Sequence, residues 1–222
     1  MIQIENVEVF GFEAAIRGMR NPLNSWDKSD SEFIPWDITD FEIGENDLKL
    51  MQTLCKAGTD HRKFLRMINV TADIVAPLYW WKEYDTYKVG TVANSCSTMH
   101  KIADKEFTLD DFSCEHLIIP AKEHIESTIK ALNAYRDMYL NFERKGSGVK
   151  NAFDNDNKNV WWQLIQLLPL SYNQKRTVQL NYEVLLNMYH ARKNHKLDEW
   201  VQFCEYIKSL PCFAKICLME VE

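Results

Sequence analysis

The stretch that decides the reading is LPLSYNQKRTVQLNYEVLLNMYHARKNHKLDEWV, residues 168–201. Pro169 stops an apolar run at Leu168. Asn181 follows twelve positions after the proline, Asn187 six after that, and Arg192 five later, with Leu185 between the asparagines. Apolar spacing predicts a helix over 178–192 and a further one over 197–209. On a helix, six residues turn through about 600°, which sets Asn181 and Asn187 roughly 120° apart. Leu185 and Tyr189 share another face. An asparagine buried at a helix surface needs both its carbonyl and its amide satisfied. A ring with a donor–acceptor edge satisfies both. Arg192 falls at the helix C-terminus, where it complements the dipole and can also reach a planar anion.

Upstream of Pro169, residues 160–168 form one more apolar segment. Pro120 opens a long amphipathic helix with Ile125, Ile129, Leu132, Tyr135, Met138 or Tyr139, and Phe142 on one stripe. It ends in the basic turn Arg144-Lys145 before Gly146. Residues 146–159 read as a polar connection. Residues 74–83 predict a helix with Pro77 in its first turn, where a missing N–H costs little. Residues 64–70 predict a strand. Asn46 or Asp47 caps a helix carrying Leu48, Met51, Leu54 and Cys55, which Gly58 stops. Residues 24–42 are polar and predict a surface loop. Residues 13–20 form a short helix broken at Asn21-Pro22, and residues 1–12 an edge strand. The order predicts one α+β domain over 1–222, with a small mixed or antiparallel sheet and a dominant set of helices.

Composition supports a folded chain, since 46% of the 222 residues are apolar. Twenty-six Lys and Arg stand against 32 Asp and Glu, a formal charge of -6. That balance excludes a nucleic-acid groove as the main function, because phosphate neutralisation needs clustered positive charge. The N-terminal residues are acidic where a signal peptide is basic. No run approaches the roughly 18 to 20 apolar residues of a membrane span. The six cysteines are scattered and read as reduced thiols. Together these predict a cytoplasmic protein. No metal site is expected: His190 and His195 are five apart and point away from each other on a helix, and no H-E-x-x-H or C-x-x-C occurs. Cys96, flanked by Ser95 and Ser97 and near His100, is a rival nucleophile, although most such cysteines are small core residues. Tyr79-Trp80-Trp81 reads as core or interface.

Leu168-Pro169-Leu170 with Asn181-x-x-x-Leu185-x-Asn187-x-x-x-x-Arg192 resembles the C-terminal signature of the flavin-dependent thymidylate synthases, with no gap over 168–201. Val70-x-Ala72 followed by Trp80 resembles that family's V-x-A-P…W passage, and His61-x-x-Phe64 its H-x-x-F. The resemblance implies FAD at the subunit interfaces of a homotetramer. It implies reductive methylation of dUMP or a related pyrimidine nucleotide, with the methylene from methylenetetrahydrofolate and a hydride passed from NADPH through FAD. It places Arg192 as the catalytic group that activates the pyrimidine ring, and Asn181, Asn187 and His61 as flavin-binding residues.

The chain departs from the family at the R-H-R-x-x-S hallmark. Trp81-Lys82-Glu83-Tyr84-Asp85-Thr86-Tyr87-Lys88 stands there instead. Lys82 keeps the first charge, Glu83 and Tyr84 replace the His and the second Arg, and the later S-x-R-Y is absent. Arginine grips phosphate through a bidentate fork and lysine only as a point charge. The substitutions therefore remove much of a phosphate clamp. Lys82, Tyr84, Tyr87, Lys88, Ser95 and Ser97 form the remaining polar candidates for substrate binding, with Gly90 in a turn whose N–H groups can approach a phosphate. The departure implies an altered substrate, or a non-catalytic nucleotide- or flavin-binding assembly protein on the same fold.

Overall fold

The structure, a computed structural model, describes residues 2–34, 37–145 and 157–220. The elements are β1 (Gln3–Phe10), α1 (Phe12–Arg20), β2 (Glu32–Ile34), β3 (Asp37–Glu42), α2 (Glu45–Lys56), β4 (Asn69–Pro77) and α3 (Leu78–Tyr84). Then follow β5 (Val92–Ser95), α4 (Ile119–Lys145), α5 (Asn157–Leu167), β6 (Asn173–Asn181), α6 (Tyr182–Arg192) and α7 (Asp198–Ser209). The expected α+β class holds: helices dominate, and one sheet has the order β1-β4-β6-β5 while β2 and β3 pair antiparallel. β1 lies at the sheet edge, as its weak alternation predicts. No helix among the described residues is long and apolar enough to cross a membrane.

Two strands replace expected helix. Along β4, Val70, Ala72, Ile74 and Ala76 are buried in strict alternation, a period of two. That alternation runs through residues 74–77, and the strand begins at Asn69, not at Phe64. Lys63–Arg66 is instead a 3-10 turn that buries Phe64 and Leu65. Pro77 closes β4, since it has no N–H to give to a ladder, and α3 starts one residue later. Likewise β6 buries Gln174, Val178 and Leu180 in alternation and reaches Asn181. The helix expected from residue 178 begins at Tyr182.

The chain divides into two compact units. The first comprises Val75–Lys82 and Ser95–Lys175; the second comprises Ile2–Ile74, Glu83–Asn94 and Arg176–Glu222. In the first unit α4 and α5 enclose a core of Ile102, Ala103, Phe107, Phe112, Ile125, Ile129, Leu132 and Leu164. The stripe read from the sequence supplies Ile125, Ile129 and Leu132. Residues 146–156 of the expected polar connection lie outside the described residues. Leu168-Pro169-Leu170 has a local task here. The carbonyls of Leu170 and Tyr172 accept the N–H groups of Tyr79 and Leu78, both at 3.0 Å, and so satisfy the first turn of α3. Trp81, fully buried, donates its indole N–H to the Gln174 carbonyl at 2.9 Å.

The second unit is organised by a buried ion pair. Arg20, the last residue of α1, places Nε 2.6 Å from Oδ1 of Asp47 in α2. Its other nitrogens donate to the carbonyls of Ser25 and Lys28. Oδ2 of Asp47 accepts the hydroxyls of Ser29 and Ser31 and the backbone N–H groups of Asp30 and Ser31. Asp30 in turn accepts the N–H groups of Asn46 and Asp47. The stretch 24–42 is therefore not a plain surface loop. Its polar residues cap α2 and clamp Asp47, and its apolar ones pair Phe33 with Phe41 across β2 and β3. The α2 N-cap is Gly44, while Asp47 turns inward to Arg20.

Burial alone would raise the Asp47 carboxyl, but hydrogen bonds from Ser31, Ser29, Arg20 and Asp30 outweigh it and hold it below the ordinary 3.8. A depressed folded value stabilises the fold above the unfolded value and is lost as pH falls through the folded one. We expect Asp47→Asn to cost about 3 kcal/mol or more at neutral pH, because it leaves Arg20 buried without its counter-charge. Urea unfolding at pH 7 and below pH 3 checks this: the gap between the variant and the parent should narrow in acid.

Candidate functional site

Helix α6 organises the site, and its start is fixed by Asn181. Asn181 takes an extended backbone, and its Oδ1 accepts the N–H of Val184 at 3.0 Å. It is thus an N-cap, not a residue on a helix face. The strand–helix junction changes the expected angular relation between Asn181 and Asn187. Gly90 lies against it at φ +74, and a Cβ there would sit 2.9 Å from Nδ2 of Asn181 and 3.0 Å from a Val184 methyl. Only glycine brings that loop this close to the helix start.

One turn and a half along, Asn187 is exposed and its Oδ1 accepts Nη2 of Arg62 at 3.2 Å. Arg62 also forms an ion pair with Glu183, Nε to Oε2 at 2.9 Å. Among the described residues, the amide nitrogens of Asn181 and Asn187 have no protein acceptor. His61, the neighbour of Arg62, is exposed. It lines a mainly apolar cavity of about 530 Å³ whose walls include Met19, Leu50, Leu54, Phe64 and Met67.

At the far end of α6, Arg192 is held through its Nε, its Nη1 and the face of its guanidinium. Its Nη1 is 2.5 Å from Oε2 of Glu83, and its Nε donates to the Tyr87 hydroxyl at 3.0 Å. The guanidinium carbon lies 4.8 Å from the Trp200 ring centroid and 5.7 Å from that of Tyr87, a cation–π pairing on both sides. Trp200 donates its indole N–H to the same Oε2 of Glu83 at 3.1 Å. His195 Nδ1 accepts the Leu197 N–H at 3.1 Å, and its Nε2 lies 3.1 Å from Arg192 Nη1 and 3.3 Å from that oxygen. Two donors, from Arg192 and Trp200, thus converge on Oε2. Local chain geometry arranges them: a turn after α3, with Thr86 and Tyr87 N–H bonded to Glu83 and Tyr84 carbonyls, returns Tyr87 toward Arg192.

The remaining candidates fall elsewhere. Tyr84 is a core side chain, 2% exposed, and burial pushes its phenol well above the ordinary value. Lys88 is exposed on the Gly90 loop. Lys82, Ser95 and Ser97 belong to the first unit and are all exposed, and Ser97 accepts the His100 N–H at 3.0 Å. Cys96 is exposed there too. The residues that sequence reasoning did not assign are Arg62, Glu183, His195, Trp200 and the ionic role of Glu83. The signal for Glu83 was in view: a carboxylate at a position where the resemblance expects a histidine.

Comparison with solved structures settles the architecture. Thymidylate synthase X from Helicobacter pylori, solved with FAD and dUMP, matches 98% of this chain and 97% of its own with a TM-score of 0.65. A second structure of that flavin-dependent enzyme, also complexed with FAD and dUMP, matches 97% of each chain with the same TM-score. The fold is that of the flavin-dependent thymidylate synthases. Identity is 13% in both cases. No family model matches the sequence, and no curated protein does.

The Glu83–Arg192 pair is partly screened, at 35% and 19% side-chain exposure, so it contributes less than a buried pair. We expect Glu83→Ala to lower stability by about 1 kcal/mol, and a double-mutant cycle with Arg192→Ala to recover most of that as coupling. Additive losses in thermal unfolding would show the pair to be energetically idle.

Proposed function

We propose that this protein is a nucleotide-binding flavoenzyme that reductively methylates a pyrimidine nucleotide, dUMP or a relative. Arg192 is its catalytic group. The observation that carries the reading is the placement of Arg192 at the end of a helix whose start and middle present two side-chain amides. The amide N–H groups of Asn181 and Asn187 are donors without protein acceptors, and a flavin ring presents carbonyl acceptors to such donors. These residues fit FAD, and they would hold it. When bound, FAD supplies hydride transfer, with NADPH as reductant and methylenetetrahydrofolate as methylene donor. The chain's own part is orientation and polarisation. Arg192 is locked in one rotamer by Tyr87, Trp200 and Glu83. It is therefore preorganised toward negative charge that develops on a pyrimidine edge. Lys88, exposed on the Gly90 loop of the same unit, would meet the nucleotide's phosphate. A homotetramer belongs to this reading, as in the family it resembles.

A second reading draws on the same pair. Glu83 balances the charge of Arg192, and a balanced arginine stabilises an anionic ring less. That favours a flavin- or nucleotide-binding assembly protein without turnover.

Three measurements test these readings. At saturating FAD the purified protein should turn yellow with a shifted flavin spectrum, and a colourless protein defeats the flavoenzyme reading. Asn181→Asp keeps the cap oxygen but removes the amide donor, so we expect an unchanged melting temperature and weakened FAD binding. Arg192→Ala should retain flavin and lose turnover, a loss confined to transition-state stabilisation. Rescue of a thymidine-requiring strain by the parent but not by this variant separates the enzyme from the assembly protein.

A further inference from the structure

Glu83 carries a feature beyond its ion pair. Both of its hydrogen-bond donors, Arg192 Nη1 and Trp200 Nε1, bond the single oxygen Oε2, and His195 Nε2 lies 3.3 Å from the same oxygen. Among the described residues, Oε1 accepts nothing, and neither does any acceptor meet Nη2 of Arg192. The carboxylate is 35% exposed and the guanidinium 19%. An ionised carboxylate is acceptor-only, and a guanidinium is donor-only. Together they leave one acceptor oxygen and one donor nitrogen open, with no net charge between them.

We propose that Glu83 is the specificity-determining residue of this site, and that with Arg192 it reads a neutral ring edge carrying an N–H donor beside an acceptor. This rests on the nucleotide-binding reading above and names what that site selects. Two bases supply such an edge: uracil, through its ring N–H beside a carbonyl, and cytosine, through its amino group beside a ring nitrogen. Glu83 Oε1 takes the donor and Arg192 Nη2 gives to the acceptor. A ring whose facing edge lacks the N–H leaves the carboxylate oxygen desolvated and unbonded, which is the costly case. An anionic edge meets carboxylate repulsion.

The test is isothermal titration of the full chain with dUMP, dCMP and N3-methyl-dUMP. The three share the phosphate and sugar, so differences report the base edge. We expect dUMP or dCMP to bind at least tenfold more tightly than N3-methyl-dUMP. The tighter of the two identifies the source of the N–H. Glu83→Gln keeps one oxygen for Arg192 and puts a donor N–H₂ where the ligand needs an acceptor. It should lose about tenfold on the preferred nucleotide and nothing on N3-methyl-dUMP, with its melting curve as the folding control. Equal affinity of the parent protein for all three, or no binding of any, overturns the proposal; the parent measurement stands even where the variant does not fold. Flavin uptake is read on the same samples. Protein that takes up FAD but ignores the N3-methyl group defeats the edge assignment alone. Protein that discriminates the edge without taking up FAD defeats only the flavoenzyme reading.

Discussion

Asn181 ends a strand and begins a helix with one side chain, and the site depends on that junction. Its backbone stays extended while its carbonyl oxygen caps α6. From the cap, eleven residues of helix fix where Asn187 and Arg192 stand. The apolar side of the helix is buried through Tyr182, Leu185, Leu186 and Met188. The Tyr182 hydroxyl bonds the Pro211 carbonyl at 2.7 Å, and its N–H bonds the Ile68 carbonyl at 3.0 Å. A helix anchored at its first residue and along its buried face has little freedom to move its last residue. That is how polar side chains spread along one helix come to include a fixed arginine.

The resemblance of this segment was carried by residue spacing, which the sequence displays directly. Less legible was which side of Asn181 the helix begins on. Val178 and Leu180 fit a helix stripe and a strand alternation equally well over so short a run. The sheet decides it: Thr177 donates its hydroxyl to Asp73 at 2.6 Å, and Asp73 also accepts the Asn6 amide at 2.9 Å. Those partners are 104 and 67 residues away in sequence. No local window contains them. The same reason hid the role of residues 24–42, whose serines and aspartates look solvated until Arg20 and Asp47 are brought together. Helices with a long stripe or a clear stop, such as α1, α4 and α7, needed no distant partner and were read correctly.

The site itself divides along the same line. Arg192 was visible as a position, but its environment was not, because Glu83 and Tyr87 come from a stretch 109 and 105 residues away in sequence. Tyr84 illustrates the converse error. Counted with the polar residues of the altered hallmark, it is an amphipathic side chain whose ring goes to the core. A residue's type at a motif position does not tell which of its two chemistries the fold will use.

The charge pattern of the second unit bears directly on phosphate recognition. Arg62 is paired with Glu183, Arg176 with Asp85 and Arg192 with Glu83. A phosphate approaching any of these guanidinium groups must compete with a carboxylate already in place, at distances of 2.5 to 2.9 Å. That competition weakens bidentate capture, the geometry that makes arginine a phosphate ligand. Beside the Arg192 end of this unit, the exposed Lys88 and the backbone N–H groups of the Gly90 loop remain open to an anion. A point charge on a long stem and a loop of amides hold a phosphate without fixing its orientation. On the proposed function, orientation then comes from the ring, gripped where Glu83 and Arg192 stand together. The missing arginine clamp and the carboxylate beside Arg192 are, on that reading, two sides of one change: recognition moves from the phosphate end of the nucleotide to its base.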